Sequence, residues 1–270
     1  MEKLLDGIKC FIFDVDGTLI LGNSSLPFAT EVLKILKEKR IDFIILSNNS
    51  SYSILENKSR LEKVLNIELS YDNIFTSTQA TVEFLTQLNI TQIYNVGTPS
   101  MVKDFEDNGI SQNDKNPQAV VLGFDKTLTY KKIQKVSQFL LQAERIPFYA
   151  THPDDTCPID GGKIPDVGSF LKMFEQATGR KADKILGKPS KMILEFSLQS
   201  RNVKLSEVLV IGDRLDTDIQ MAHDVGVKSS LVLTGETSRS ALKLTKIHPT
   251  FIWTDLEILY DFLRNTEELP

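Results

Sequence analysis

The chain has 270 residues, of which 41% are hydrophobic and 25% charged, so it is long enough for one large domain or two small ones with buried cores. Its net charge of −5 and its pI near 5.4 argue against nucleic acid and anionic membrane surfaces as main partners. An anionic substrate is compatible with this balance if local cations bind it.

No apolar stretch approaches the length of a membrane span, and the N-terminal residues lack the long apolar run of a signal peptide. The two cysteines, Cys10 and Cys157, fall in a predicted buried strand and in a predicted loop, so a disulfide is not expected. Together these features predict a cytoplasmic protein without a membrane partner.

An apolar run over residues 10–13 predicts a buried parallel strand that leads directly into Asp14 and Asp16. Gly17 follows and permits a sharp backbone turn. Because open α/β sheets bind ligands at the carboxyl ends of their strands, both carboxylates are expected to project into a cleft. Taken alone, these residues are also compatible with a strand followed by an acidic turn.

A helix is predicted after Pro27, with an apolar face made by Val32, Leu33 and Leu36. A second buried strand follows over 43–46 and ends at Ser47. Strand, crossover helix and strand make a parallel βαβ unit, which brings Ser47 beside the end of the Asp14 strand if the two strands are neighbours. A helix containing Leu61 and a short strand over 74–77 continue the pattern.

Further strands and helices alternate in the middle of the chain, and a loop rich in Pro, Gly and Asp interrupts them over 152–165. Strands are predicted over 92–97, 119–123 and 148–151, and helices over 78–88, 99–108, 130–145 and 167–178. So many residues with their own alternation are too long for a loop and predict an inserted domain.

The first pattern resumes after the insert. Lys188 precedes a helix for which Ser190 is the predicted N-cap, and a buried strand over 208–211 leads into Asp213. A helix over 217–225, a strand over 230–233 and a final strand and helix after residue 251 close the chain. The predicted fold is α/β: a doubly wound, mainly parallel Rossmann-like core with an inserted smaller α/β domain. The predicted boundaries are 1–80 (core), 81–183 (insert) and 184–270 (core).

The polar residues at these strand and helix ends suit phosphoryl transfer. A carboxylate that approaches a phosphate meets like charge, and each unit-charge pair at ~4 Å costs about 4 kcal/mol at an effective dielectric constant of about 20. Bound Mg²⁺, held by Asp14 and Asp213, would offset most of that repulsion. Lys188 would add positive charge, and the Ser47 hydroxyl with neighbouring amides would hold phosphate oxygens.

Four fragments resemble, in the same order, the four motifs of the haloacid dehalogenase-like hydrolases. They are Asp14-Val15-Asp16-Gly17-Thr18, Ser47 at a strand end, Lys188 ahead of a helix, and Gly212-Asp213 with Asp216 and Asp218. The motifs resemble those of the NagD-like, p-nitrophenyl phosphatase branch in their sequences, which are Ser-Asn-Asn-Ser, Gly-Lys-Pro-Ser and Gly-Asp-Arg-Leu-Asp-Thr-Asp. The large insert between the second and third motifs also resembles that branch. That branch carries an α/β cap of the C2 type.

The resemblance implies roles for the core residues. Asp14 would be the nucleophile and a Mg²⁺ ligand, Asp16 the general acid and base and a Mg²⁺ ligand through its backbone carbonyl, and Asp213 a third ligand. Asp218 would orient Asp213 or a metal-bound water, while the role of Asp216 stays open.

The resemblance also implies substrate contacts. Ser47, Asn48 and Lys188 would contact the phosphate. A cap loop that commonly reads Thr-Asn-x-Asp here reads Thr-His-Pro-Asp-Asp. From this loop His152 and Asp155 are expected to contact the substrate, and the role of Asp154 stays open.

The sequence therefore predicts a Mg²⁺-dependent phosphatase that hydrolyses a small phosphorylated metabolite through an aspartyl-phosphate, and it is compatible with a homodimer formed through the cap. The alternatives are a phosphotransferase to an acceptor other than water and a non-catalytic phosphate-ligand sensor or partner-binding protein on the same scaffold. Asp16 favours hydrolysis, because it can activate water.

Overall fold

Two β-sheets organise the chain, and each lies in its own compact unit. A computed structural model describes Leu5 and residues 7–159 and 161–266. The first unit comprises the described residues up to Ser47, Lys58–Phe75 and those from Ser197 onwards. The second unit comprises Asn48–Asn57 and Thr76–Phe196.

The strands of these residues, in chain order, are β1 (Cys10–Phe13), β2 (Ile20–Leu21), β3 (Ser24–Ser25), β4 (Asp42–Ser47), β5 (Ile74–Thr76), β6 (Gln92–Val96), β7 (Ser111–Gln112), β8 (Ala119–Leu122), β9 (Phe148–Ala150), β10 (Thr156–Ile159), β11 (Gly162–Pro165), β12 (Lys184–Ile185), β13 (Val208–Gly212), β14 (Lys228–Val232) and β15 (Phe251–Trp253). The α-helices are α1 (Ala29–Glu38), α2 (Ile54–Leu65), α3 (Ser77–Gln87), α4 (Pro99–Asp107), α5 (Tyr130–Leu140), α6 (Val167–Thr178), α7 (Lys191–Leu198), α8 (Gln220–Val225) and α9 (Glu257–Asn265).

Strand β1 lies in the interior of the first sheet, whose order is β15-β14-β13-β1-β4-β5. It pairs in parallel with β13 and with β4, so that Phe13 lies opposite both Ile211 and Ile45. All four residues of β1 are buried, as expected for an apolar strand in a parallel sheet that is covered on both faces. The predicted βαβ unit is confirmed, and the carboxyl ends of β1, β4 and β13 meet at one edge of the sheet.

Helices α1 and α9 of this unit pack against each other. Helix α1 buries the predicted apolar face of Val32, Leu33 and Leu36, and α9 buries Leu259 and Leu263. The contact includes the rings of Phe28 and Tyr260, whose centroids lie 5.3 Å apart. The 3.6-residue period of the apolar side chains accounts for these buried faces.

The sheet of the second unit has the order β12-β9-β8-β6-β7, and its paired strands are parallel. Its core contains Val96, Leu122, Phe148 and Phe174, with the last two rings packed edge to face at 6.3 Å. This second hydrophobic core confirms that the insert is an α/β domain with its own sheet.

Strand β12 continues this second sheet beyond the predicted insert. Its Ile185 lies opposite Ala150 of β9 in a parallel pair, and the second unit extends as far as Phe196. The predicted boundaries after residues 80 and 183 stay a prediction, and backbone pairing adds 184–185 to the sheet of the insert.

The loop predicted over 152–165 is corrected in part, because it contains an antiparallel hairpin. Strands β10 and β11 pair with Thr156 opposite Pro165 and Ile159 opposite Gly162. Gly161, between the two strands, has a φ of 87°, a left-handed conformation that glycine adopts without a steric penalty. The Pro- and Gly-rich segment therefore contains a turn between two short strands.

Two predicted helices also differ at their ends. The helix predicted over 130–145 is α5, which ends at Leu140. The helix predicted over 217–225 is preceded by a π-helical turn, Leu215–Ile219, and α8 begins only at Gln220. A π-helical turn is wider than an α-turn and is frequent at functional sites.

Cys10 and Cys157 are both free thiols in this structure. Burial in β1 raises the pKa of the Cys10 thiol to about 12, so this thiol stays protonated at neutral pH. Within the described ranges, every helix is too short or too polar to cross a membrane.

Asp104 of α4 holds the first residue of α2 within the second unit. Its carboxylate oxygens accept hydrogen bonds from the backbone N–H of Ile54 at 3.1 and 3.4 Å, and Oδ2 also accepts one from the Gln79 amide at 3.2 Å. The residue is 4% exposed, and burial raises the pKa of its carboxyl to about 6.

We expect Asp104 to destabilise the fold as pH rises from about 4 to about 6. The unfolded chain releases this proton near the ordinary pKa of an aspartate, whereas the folded chain retains it until the pH reaches about 6. Between pH 5 and pH 7 the difference amounts to about 1 kcal/mol in the free energy of unfolding. Urea unfolding at both pH values measures it. Asp104→Asn should remove this increment, and an unchanged pH dependence in that variant would contradict the assignment.

Candidate active site

Three carboxylates lie together at the edge of the first sheet where β1 and β13 end. Asp14 follows β1, Asp213 follows β13, and Asp218 lies in the π-helical turn. One carboxylate oxygen from each lies within 4.8 Å of the others. Asp213 and Asp218 are only 2% and 1% exposed. The parallel pairing of β1 with β13 therefore brings together acidic residues separated by about two hundred positions in the chain.

Glycines make room for two of these carboxylates. A Cβ atom would lie 2.5 Å from Asp213 Oδ2 if it were added to Gly17, and 2.0 Å if it were added to Gly235. A Cβ at Gly212 would lie 2.3 Å from the Asp218 carboxyl carbon. These distances are shorter than any normal van der Waals contact, so a larger residue at any of the three positions would displace the acidic cluster.

The loop after β14 holds this arrangement in place. The backbone N–H of Glu236 donates to Asp213 Oδ2 at 2.6 Å, and the Thr234 hydroxyl donates to the carbonyl of Gly17 at 2.5 Å. No role for these residues was predicted from the sequence. Their position could have indicated a role in the site, because a Thr-Gly pair follows a buried strand at the same sheet edge as Asp14.

The acidic cluster fits a hard divalent cation. Like charges separated by 4 to 5 Å repel by about 3 to 4 kcal/mol per pair at an effective dielectric constant of about 20, so the three carboxylates require a compensating positive charge. Their donor atoms are all oxygens, which suit Mg²⁺, Ca²⁺ or Mn²⁺. Asp14, Asp213 and Asp218 are therefore the side chains that could hold a metal.

Asp216 lies outside this cluster. Its carboxylate pairs with Arg214 Nη2 at 3.1 Å, and its side chain is 72% exposed. Among the three aspartates after β13, the structure therefore brings Asp213 and Asp218 to the cluster and directs Asp216 toward solvent.

The side chain of Asp16 has a different neighbour. Its Oδ1 accepts an ion-paired hydrogen bond from Arg60 Nη2 of α2 at 3.1 Å. Both residues belong to the first unit. Arg60 was not predicted from the sequence, because a basic residue on a helix is usually only part of a solvated face.

Ser47 is the last residue of β4, the neighbour of β1 in the sheet. It is buried, and its strand ends at the same edge as the strand that precedes Asp14. The position predicted from the βαβ pattern is thus observed.

Lys188 belongs to the second unit, where it follows β12 and is buried. Its backbone is held by Asn48: Asn48 Oδ1 accepts from the Lys188 N–H at 2.8 Å, and Asn48 Nδ2 donates to the Lys188 carbonyl at 3.0 Å. Asn48 Nδ2 also donates to Asp154 Oδ2 at 3.0 Å. The Asn48 amide therefore connects Lys188, the predicted catalytic lysine, to the 152–155 loop through hydrogen bonds.

Asp154 and Asp155 have different surroundings, although they are adjacent. Asp154 accepts the hydrogen bond from Asn48, whereas Asp155 pairs with Lys172 of α6 at 2.7 Å, with both side chains more than half exposed. The predicted substrate contacts of Asn48 and Asp155 stay predictions. The geometry gives Asn48 a role in positioning Lys188.

His152 is fully buried in the second unit. Its Nδ1 lies 2.9 Å from the Thr151 hydroxyl, and its Nε2 lies 3.0 Å from Asp166 Oδ1, which also accepts from the backbone N–H of Val167 at the start of α6. A substrate contact through either ring nitrogen would have to break one of these hydrogen bonds. The predicted contact between His152 and substrate therefore stays a prediction that this geometry does not favour.

Two family models match the parts of the chain that contain these residues. A haloacid dehalogenase-like hydrolase model matches residues 11–111, and a HAD-hydrolase-like model matches residues 185–259. The structure of the 4-nitrophenylphosphatase from Thermotoga maritima is 37% identical in sequence and has a TM-score of 0.91, over 96% of this chain and 98% of that one. The chain belongs to the haloacid dehalogenase-like hydrolases.

Two further relatives place this hydrolase within the family. A putative NagD protein of known structure is 36% identical over 94% of this chain and 98% of its own, with a TM-score of 0.88. The acid sugar phosphatase of Staphylococcus epidermidis is 28% identical over 93% of this chain and 96% of its own length. The hydrolase is thus a member of the NagD-like branch and a phosphoric monoester hydrolase, as the motifs predicted.

We expect Asn48→Ala to lower phosphatase turnover by roughly 10- to 100-fold, because it releases the backbone of Lys188 and the Asp154 carboxylate. It should also reduce the free energy of unfolding by about 1 to 3 kcal/mol, since it removes two hydrogen bonds to the backbone of the buried Lys188. Steady-state kinetics and urea unfolding measure the two effects.

The matched control for this variant is Asn116→Ala, an exposed asparagine of the same unit. It should leave both quantities unchanged. Wild-type turnover in Asn48→Ala would contradict a role for Asn48 in positioning Lys188.

Proposed function

We propose that this hydrolase is a Mg²⁺-dependent phosphatase that cleaves a small phosphorylated metabolite through an aspartyl-phosphate on Asp14. The observation that supports this most strongly is the cluster of Asp14, Asp213 and Asp218, in which Asp14 follows β1 and stands two residues before Asp16. A carboxylate nucleophile next to oxygen ligands for a cation is the arrangement that phosphoryl transfer requires.

In the first step, a carboxylate oxygen of Asp14 attacks phosphorus and the bond between phosphorus and the leaving oxygen breaks. Asp16 gives its proton to that oxygen, so the product leaves as an alcohol. In the second step, Asp16 takes a proton from water, the water oxygen attacks phosphorus, and the bond to Asp14 breaks. Inorganic phosphate and the free Asp14 carboxylate result.

Positive charge makes the approach of Asp14 to a phosphate tolerable. Asp14, Asp213 and the backbone carbonyl of Asp16 would hold Mg²⁺, which would neutralise charge at the phosphate. Asp218 orients Asp213 or itself serves as a ligand, because its carboxylate belongs to the same cluster. Lys188 adds a second positive charge, and the Ser47 hydroxyl donates to a phosphate oxygen.

The substrate is a small phosphorylated metabolite, and sugar phosphates, phosphoglycolate, nucleotides and pyridoxal phosphate all suit the four motifs. The similarity to an acid sugar phosphatase supports the sugar phosphates. Selection among them belongs to the inserted domain, where Asp155 is exposed beside the Asn48–Asp154 contact. A phosphotransferase with an acceptor other than water remains the second candidate, since Asp14 would form the same intermediate.

We also propose a cytoplasmic location and a homodimer formed through the inserted domain. The two free cysteines support a reducing compartment. The half-exposed Ile159 of the β10–β11 hairpin supports contact with a second copy. Sedimentation of the purified chain at several concentrations tests the dimer, and a monomer at all of them would contradict it.

Phosphate release from p-nitrophenyl phosphate tests the proposed function. Turnover should require Mg²⁺ and be lost in EDTA. Asp14→Asn should lower it by roughly 1,000-fold or more while the thermal unfolding temperature does not fall, because the variant keeps the shape of the side chain and loses its nucleophilic charge. Equal turnover with Mg²⁺ and with EDTA would contradict metal dependence. Wild-type turnover in Asp14→Asn would rule out Asp14 as the nucleophile.

A further inference from the structure

Asp16 lies in a turn whose backbone is fixed. The Gly17 N–H donates to the Ile20 carbonyl at 2.8 Å, and the N–H groups of Leu19 and Ile20 donate to the Val15 carbonyl at 2.9 and 3.0 Å. These bonds determine where the Asp16 Cα lies. They leave the orientation of its carboxylate to side-chain contacts, because that side chain is 38% exposed.

Arg60 makes such a contact from a rigid helix. Its Nη2 lies 3.1 Å from Asp16 Oδ1, and its own side chain is 24% exposed. The helical turn around it is anchored in the first unit by buried Leu61 and Leu65 and by Glu62, which accepts from the Leu69 N–H at 2.9 Å. The guanidinium is therefore attached to a backbone that packing and hydrogen bonds hold in place.

We propose that Arg60 is a positioning residue that orients the Asp16 carboxyl for both proton transfers. The inference rests on the proposed role of Asp16 as acid and base. The planar guanidinium, which stays charged at neutral pH, donates to Oδ1 and so defines the plane of the carboxyl group. The other oxygen, Oδ2, then carries the proton that goes to the leaving oxygen and later accepts a proton from water.

This geometry is compatible with both protonation states of Asp16. In the acid form Oδ1 is the carbonyl oxygen of the carboxyl group and still accepts from Arg60, while Oδ2–H donates. In the base form both oxygens accept. An ion pair this exposed adds little to the stability of the fold, so a variant of Arg60 should fold normally.

Two substrates that differ only in their leaving group test this role. Phenyl phosphate has a basic leaving group that needs a proton, whereas p-nitrophenolate leaves readily without one. The ratio kcat/KM reports the steps up to formation of the aspartyl-phosphate, in which Asp16 acts as the acid. In Arg60→Gln, kcat/KM for phenyl phosphate should fall by roughly 10-fold or more, and kcat/KM for p-nitrophenyl phosphate by less than about 3-fold.

A second readout follows from the base role of Asp16. Hydrolysis of the aspartyl-phosphate is common to both substrates and should slow in Arg60→Gln. Rapid mixing with p-nitrophenyl phosphate should then give a larger burst of p-nitrophenolate than in the wild type, because the intermediate accumulates. Arg60→Lys, which keeps the charge and loses the planar fork, should recover part of the activity.

The matched control is Lys63→Gln, which removes one positive charge from an exposed position of the same helix. It should behave as the wild type does. Equal losses of kcat/KM for both substrates in Arg60→Gln would overturn the proposal in favour of a phosphate-binding or structural role, and no loss would overturn it outright. Failure of the wild type to turn over either substrate would instead refute the proposed function.

Discussion

The convergence of like charges at the carboxyl end of β1 is the constraint on which the first unit depends. Asp14, Asp213 and Asp218 lie within 4.8 Å of one another, and two of them are almost fully buried. Such a cluster is unfavourable without a cation, so its geometry must be enforced by the fold. Parallel pairing of β1 with β13 brings the carboxylates together, and glycines at positions 17, 212 and 235 leave the space they occupy.

In the second unit, hydrogen bonds hold the backbone of a buried lysine. Lys188 follows the short strand β12, and two hydrogen bonds from Asn48 fix its backbone. The same amide holds Asp154, so the 152–155 loop and the lysine are parts of one network. His152 is fully buried in this unit, with its Nε2 3.0 Å from Asp166 Oδ1. Hydrogen bonds therefore hold the residues that surround Lys188 as well as the backbone of Lys188 itself.

Much of this architecture was predictable from the pattern of apolar and polar residues over short stretches of the sequence. The apolar run before Asp14, the amphipathic period of α1 and the polar residues at the ends of β4 and β13 were all readable along the chain. The roles of Arg60 and Asn48 were not, because each depends on a partner 44 or 140 positions away and neither residue type indicates its partner. The β10–β11 hairpin was missed because its strands are short and its Pro and Gly content resembles that of a loop.

In the proposed mechanism Asp14 carries the phosphoryl group between the two steps. The most direct test is mass spectrometry of Asp16→Asn, quenched in acid after mixing with Mg²⁺ and p-nitrophenyl phosphate. Because this variant lacks the base for the second step, one phosphoryl group is expected on the peptide that contains Asp14. The double variant Asp14→Asn, Asp16→Asn should carry none. A phosphoryl group on a different peptide, or none while p-nitrophenolate is still released, would rule out an aspartyl-phosphate on Asp14.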